Sequence, residues 1–186
     1  AEDELTADRA AGSALRLRNW KQIVEKVDFA FQPIVNPHTG HIFGYEALLR
    51  RWEDSGFESI QSLFDTAWET GNLHGVDMML REKAIAKFAR LPKARRLKLF
   101  YNFDSRVVRT RDYQPGRTAE LLRNAGLERD TIFLEISERH DISNAQYLQD
   151  ILTRYRSQGF KVAIDDYGSD FAQLRALYEC EPDIIK

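Results

Sequence analysis

Apolar positions recur at spacings near three and four through residues 5–26, where Leu15, Trp20 and Ile23 lead to Val27, and this stripe predicts a helix. The rhythm then changes. Phe29–Val35 is a compact apolar run interrupted by Gln32 and Pro33, Asn36–Gly40 carries turn residues, and His41–Arg50 reads as a second strand. Together they predict an antiparallel hairpin. Beyond it, helix and strand take turns. Helices are expected over residues 59–70 and 73–90, the second stopped by Pro92, followed by a strand over 97–101. A helix over 116–125 stops at Gly126, and a strand covers 131–136. A helix over 143–158 lies between Ser143 as N-cap and Gly159 as stop, and a strand covers 160–164. A short helix over 170–178 and the start of a strand over 183–186 complete the chain. Apolar strands alternating with amphipathic helices predict an α/β fold with a parallel sheet; the pattern alone leaves doubly wound and closed-barrel versions open.

Composition narrows the function classes. Of the 186 residues, 43% are apolar and 30% charged, the balance of a folded globular chain rather than a disordered one. A net charge of −2 argues against a duplex nucleic-acid binder, yet a ligand with one or two phosphates needs only a few local cations. The single cysteine, Cys180, permits no internal disulfide and fits a reducing cytoplasm. No apolar run approaches the ~20 residues of a membrane helix, and the acidic N-terminus has no apolar signal core. The expected location is therefore the cytoplasm, with a membrane-associated parent protein still open.

Polar residues interrupt the strands at telling places. Glu46, Asn102, Glu135 and Asp165 each sit in or just after an apolar strand, and Glu138 and Asp166 follow closely. In parallel α/β folds the carboxyl ends of the strands share one rim, where ligands bind. One acidic residue there is ordinarily a helix cap. Four oxygen donors from successive strands point instead to a site whose mutual repulsion a divalent cation relieves. Oxygen donors favour Mg²⁺, Mn²⁺ or Ca²⁺ over zinc, and His38, His41, His74 and His140 show no zinc-ligand spacing.

From about Phe29 onward the chain resembles the EAL family of cyclic di-GMP phosphodiesterases. Glu46-Ala47-Leu48-Leu49-Arg50 is similar to the family signature, preceded by Phe31-Gln32-Pro33-Ile34-Val35. Asn102 resembles its third-strand asparagine, Glu135-Ile136-Ser137-Glu138 its Glu-x-Thr-Glu, and Asp165-Asp166-Tyr167-Gly168 its Asp-Asp-Phe-Gly. Pro182–Lys186 resembles the segment carrying its lysine. The resemblance implies a TIM-like (β/α)₈ barrel with an antiparallel first strand. Residues 1–27 would be a helical lead or connector, and 28–186 an EAL domain incomplete at its C-terminus, holding about six of eight strands. It also implies two divalent cations, Mg²⁺ or Mn²⁺, with Glu46, Asn102, Glu135 and Asp165 as ligands and Asp166 serving the second ion. Glu46 and Lys186 would be catalytic, Lys186 by contacting the attacking water. Arg50 would hold a substrate phosphate, Gln32 and Leu49 would join it in binding the dinucleotide, and Glu138 would support the loop that begins at Asp166. The implied reaction opens one phosphodiester bond of cyclic di-GMP to give linear pGpG.

Two positions depart from the family pattern. Asp170 stands where a glycine is usual, and Asp104 where a serine is usual; both bear on activity and metal affinity more than on the fold. A degenerate EAL domain acting as a cyclic di-GMP receptor or protein-interaction module is the alternative reading. Another metal-dependent barrel enzyme is a third. The implied partners are cyclic di-GMP and either a second copy of the chain or an upstream sensory or cyclase domain.

Overall fold

Strand alternation gives this protein a sheet with two different faces. The computed structural model describes residues 19–137, 145–165 and 182–185. Six strands form one sheet in sequence order: β1 (Asp28–Val35), β2 (Ile42–Arg50), β3 (Lys98–Phe103), β4 (Ile132–Ser137), β5 (Lys161–Asp165) and β6 (Ile184–Ile185). β1 pairs antiparallel with β2, as the hairpin predicts, and every later pair is parallel. The helices are α1 (19–26), α2 (Ile60–Glu69), α3 (Leu73–Phe88), α4 (Arg117–Asn124) and α5 (Ala145–Arg156). The helix expected over 170–178 lies outside the described residues. Among the described residues no helix is long and apolar enough to cross a membrane.

Local chemistry explains the boundaries. Ser59 caps α2 reciprocally: its hydroxyl accepts from the Ser62 N–H, and the Ser62 hydroxyl accepts from the Ser59 N–H. Gly126, with φ of 71°, follows α4 in the left-handed region open to a residue without Cβ. β6 is pinned by Asp183, whose carboxylate accepts from the Val162 N–H at 3.0 Å and from Lys161 Nζ at 2.8 Å.

One face of the sheet carries Leu99, Tyr101, Phe103, Ile132, Leu134, Ile136, Val162 and Ile164, all buried with apolar residues of the helices. This is the main core. It reaches Trp20, Val24 and Val27, and Trp20 stacks on Phe57 with ring centroids 5.8 Å apart. Lys83 of α3 fastens the end of α1, its ammonium donating to the carbonyls of Val24, Glu25 and Val27.

The opposite face has a small aromatic floor. Phe100 and Phe133 stack at 4.7 Å, Ala163 is buried beside them, and Ile34 and Ile184 pack on the group. Phe43 sits at a bulge between β1 and β2, where Ile34 pairs with Gly44 and Val35 with Ile42, and its ring approaches Phe100 and Phe133 at 6.1 and 6.3 Å. Gly44 is required beside it. A Cβ there would lie 2.4 Å from the Lys98 carbonyl oxygen.

Candidate functional site

Strand register assembles the site on the floor's face. Gln32 pairs with Glu46, Glu46 with Phe100, and Asn102 with Glu135, while Phe100 and Asn102 are two residues apart on β3. Side chains of paired residues share a face, as do residues at i and i+2. Gln32, Glu46, Asn102 and Glu135 therefore form a polar tier on the face that carries Phe100 and Phe133. The Asn102 amide N–H donates to Glu46 Oε1 at 3.0 Å, joining two of these strands directly. Glu135 is fully buried at 0% exposure, whereas Glu46 and Asn102 are half-buried.

The other expected residues fall into three groups. Asp165 ends β5, its backbone paired with Ser137, so the fourth expected ligand stands at the carboxyl end of the next strand. Arg50 ends β2, exposed, with its guanidinium donating to the Leu49 carbonyl at 2.9 Å. Leu49 lies on the other face: alternation from Glu46 puts it in the helix-side core, so its side chain is not among the groups gathered here. Glu138, Asp166 and Lys186 lie outside the described residues, as do Asp170 and Cys180.

The donor chemistry fits a hard divalent cation. Asn102 spends an amide N–H on Glu46, which leaves its amide oxygen as the coordinating atom, and the two carboxylates add oxygen donors alone. Among the described residues no three His, Cys, Asp or Glu side chains form a metal-binding group. Of the expected ligands, Glu46 and Glu135 are the carboxylates whose side chains are described, and the amide of Asn102 stands with them.

Two features that support the site carry little sequence signal. Asp104, the unusual residue two positions after Asn102, caps the following 3₁₀ turn by accepting from the Arg106 N–H at 3.0 Å. It also holds the Arg106 guanidinium through Nε at 2.9 Å and Nη2 at 2.6 Å. Arg106 continues to Asp65 on α2 at 2.8 Å and lies over the Trp68 ring. These bonds, those to Asp104 foremost, raise the guanidinium above its ordinary range. Behind β3, Arg81 and Asp77 of α3 form a wholly buried ion pair at 2.5 Å. Arg81 donates to Thr118 on α4 at 2.6 Å, its guanidinium carbon lies 5.2 Å from the Tyr101 ring centroid, and the Tyr101 hydroxyl reaches Asp77 Oδ1 at 3.3 Å. Burial opposes the Arg81 charge, but Asp77, Tyr155 and Tyr101 outweigh it and hold the guanidinium above its ordinary range. Tyr101 and Asn102 are neighbours on β3, so one strand is braced from behind and presents the site in front.

The chain is similar to known proteins in sequence and fold. The chain is 27% identical over 178 residues to the probable cyclic di-GMP phosphodiesterase PdeI of Escherichia coli, covering 91% of this chain and 22% of the relative. It is 27% identical to the blue light- and temperature-regulated antirepressor BluF of the same organism, covering 85% of this chain and 38% of BluF. The chain thus spans about a fifth to two fifths of the length of these relatives. Among solved structures, the calcium and cyclic di-GMP complex of Klebsiella pneumoniae BlrP1 superimposes with a TM-score of 0.71 at 27% identity, over 86% of this chain and 39% of that one. The same protein is also known as a manganese and cyclic di-GMP complex. The EAL domain model matches residues 19–186, so the antiparallel first pair and the parallel strands after it are those of the EAL domain family, to which this chain belongs.

Proposed function

We propose that this EAL domain hydrolyses cyclic di-GMP to linear pGpG with divalent cations, Mg²⁺ or Mn²⁺, held at the strand carboxyl ends. The observation that carries the reading is the joining of Glu46 and Asn102 across β2 and β3, with Glu135 in register on β4. The relatives named for this activity and the BlrP1 complexes with cyclic di-GMP and calcium or manganese support it. Glu46, Asn102, Glu135 and Asp165 would hold one cation and Asp166 would serve a second. Such ions supply charge neutralisation and acidification of a water for an in-line displacement.

The chain's own groups do the rest. Asn102 fixes the rotamer of Glu46 through its amide N–H. Arg50, exposed at the end of β2, takes a substrate phosphate, and Gln32, exposed beside Glu46, contacts the dinucleotide. By the family resemblance, Lys186 would orient the attacking water, and Glu138 would support the segment that begins at Asp166. An upstream sensory or cyclase domain would govern this activity in the parent protein.

Incubation of the chain, and of its full-length parent, with cyclic di-GMP and Mg²⁺ or Mn²⁺ tests the reading by following pGpG release. Turnover by the parent that disappears in Glu46→Ala supports it. No turnover by a folded, metal-loaded parent refutes it. Glu135→Gln is expected to weaken metal binding strongly while preserving the fold; an unchanged metal titration removes Glu135 from the ligand set. BluF, named as an antirepressor, gives substance to a second reading, a cyclic di-GMP receptor that acts through a protein partner. Binding of cyclic di-GMP without turnover selects it.

A further inference from the structure

The opposite end of the sheet holds a second charged feature that the phosphodiesterase reading leaves unused. Residues 90–98, Arg-Leu-Pro-Lys-Ala-Arg-Arg-Leu-Lys, carry five cations and no acid and end on the first residue of β3. The turn Ala94–Arg96 in this run lies beside the end of α4 and the turn Arg129–Thr131 that leads into β4. Between them is an open pocket of about 390 Å³ lined by Arg95, Arg123, Arg129 and Glu128, with Ala119 and Leu127 as its apolar residues. That volume falls within the range of small-molecule sites, about 300–1,000 Å³.

Only part of the charge here is spent internally. Lys98 is neutralised by Asp130 at 2.8 Å, and Arg129 gives one N–H to the Gln158 carbonyl at 2.8 Å. Arg95 and Arg123 make no ion pair among the described residues. Gly126 admits Arg95: a Cβ there would stand 3.3 Å from Arg95 Nη2. The C-terminal carbonyls of α4 bring about half a negative charge to this end, too little to balance three guanidinium groups even with Glu128. The N–H groups of Gly126 and Leu127 are occupied by the carbonyls of Arg123 and Leu122, so recognition falls to the arginines.

We propose that this cavity, at the amino-terminal ends of β3 and β4, binds a small soluble phosphate monoester. Guanidinium forks match the geometry of a terminal phosphate, three arginines line this one pocket, and its apolar residues accept the rest of the ligand. This inference does not depend on phosphodiesterase activity.

Inorganic phosphate and AMP, titrated into the chain in chloride buffer, are the probes. Calorimetry would follow affinity and the arginine Nε–H resonances would follow location. Saturable AMP binding is expected, with the resonances of Arg95, Arg123 and Arg129 moving together. Arg123→Ala is expected to weaken it by about 10-fold or more, and Arg123→Lys, which keeps charge but loses the fork, by a smaller factor. Circular dichroism checks that both variants fold. Glu46→Gln, in the middle of β2 and outside the pocket lining, should leave this binding unchanged. No saturation by either probe to about 10 mM, a range of very weak binding, would overturn the proposal. So would binding that Glu46→Gln abolishes and Arg123→Ala does not.

Discussion

Asp77→Ala is the sharpest test of how β3 is braced. The substitution removes one partner of an ion pair in which neither side chain has any solvent exposure. Arg81 would keep its bond to Thr118 and its position over Tyr101 and Phe103, but its charge would have no counter-ion in a site that water does not reach. Breaking such a pair destabilises by about 3–5 kcal/mol. Set against a total stability of about 5–15 kcal/mol, that is a large fraction. For a chain of this size each kcal/mol shifts Tm by about 2–4 °C, so the expected fall is about 6–20 °C. Urea and thermal unfolding followed by circular dichroism measure it. A paired replacement, Asp77→Leu with Arg81→Met, removes both charges and should recover most of the loss, since apolar groups of similar volume often equal a buried ion pair. Asp77→Ala costing less than about 1 kcal/mol, the level of an exposed pair, would refute the account. A double variant no better than Asp77→Ala would do the same.

Three further outcomes are expected. Gly44→Ala should cost about 1–3 kcal/mol in urea unfolding, because its Cβ would meet the Lys98 carbonyl at 2.4 Å and the strands must shift to admit it. Asp104→Ala should lose about 2–3 kcal/mol, measured the same way, because Arg106 would keep Asp65 but lose its cap and its fork. Metal titration of that variant should also show weaker binding, since Asn102 stands two residues before the turn. His74 is buried with no hydrogen-bond partner on Nδ1 among the described residues, and burial, against the pull of Asp112 and Asp77, lowers its pKa from 6.5. The unfolded chain then binds this proton more readily than the folded one, so stability should fall as pH drops from about 7.5 to about 5.5. In His74→Phe that slope should flatten in paired denaturation curves; an unchanged slope would assign it to other groups.

The fold was legible because binary patterning and turn chemistry agreed with tertiary structure at nearly every element. The strand expected over 97–101 in fact runs to Phe103, because Asn102 breaks the apolar run without breaking the ladder. That same interruption is what made Asn102, Glu46 and Glu135 visible as site candidates. Leu49 shares a sequence motif with Glu46, and a motif carries no information about which face a residue takes. Asp77, Arg81 and Arg106 were invisible for the opposite reason. A charged residue on an amphipathic helix or turn reads as a solvated one, and only distant partners such as Thr118, Tyr101 and Asp65 bury it. The bulge at Phe43 depends on pairing with β1 and leaves no local mark. The cluster of arginines below α4 joins three separated segments, and only the run at 90–98 stands out in the sequence.

The alternation in β3 carries a genetic consequence. Loss of one codon upstream of Asn102 within this strand, with the pairing to β2 and β4 otherwise retained, would invert every side chain beyond the lesion. The tyrosine that braces Asp77 would swing toward the ligand tier, and the asparagine would be driven among leucines and isoleucines. Length polymorphism should therefore be tolerated in the connections of this protein and purged from its strands, even where the deleted residue itself contributes little.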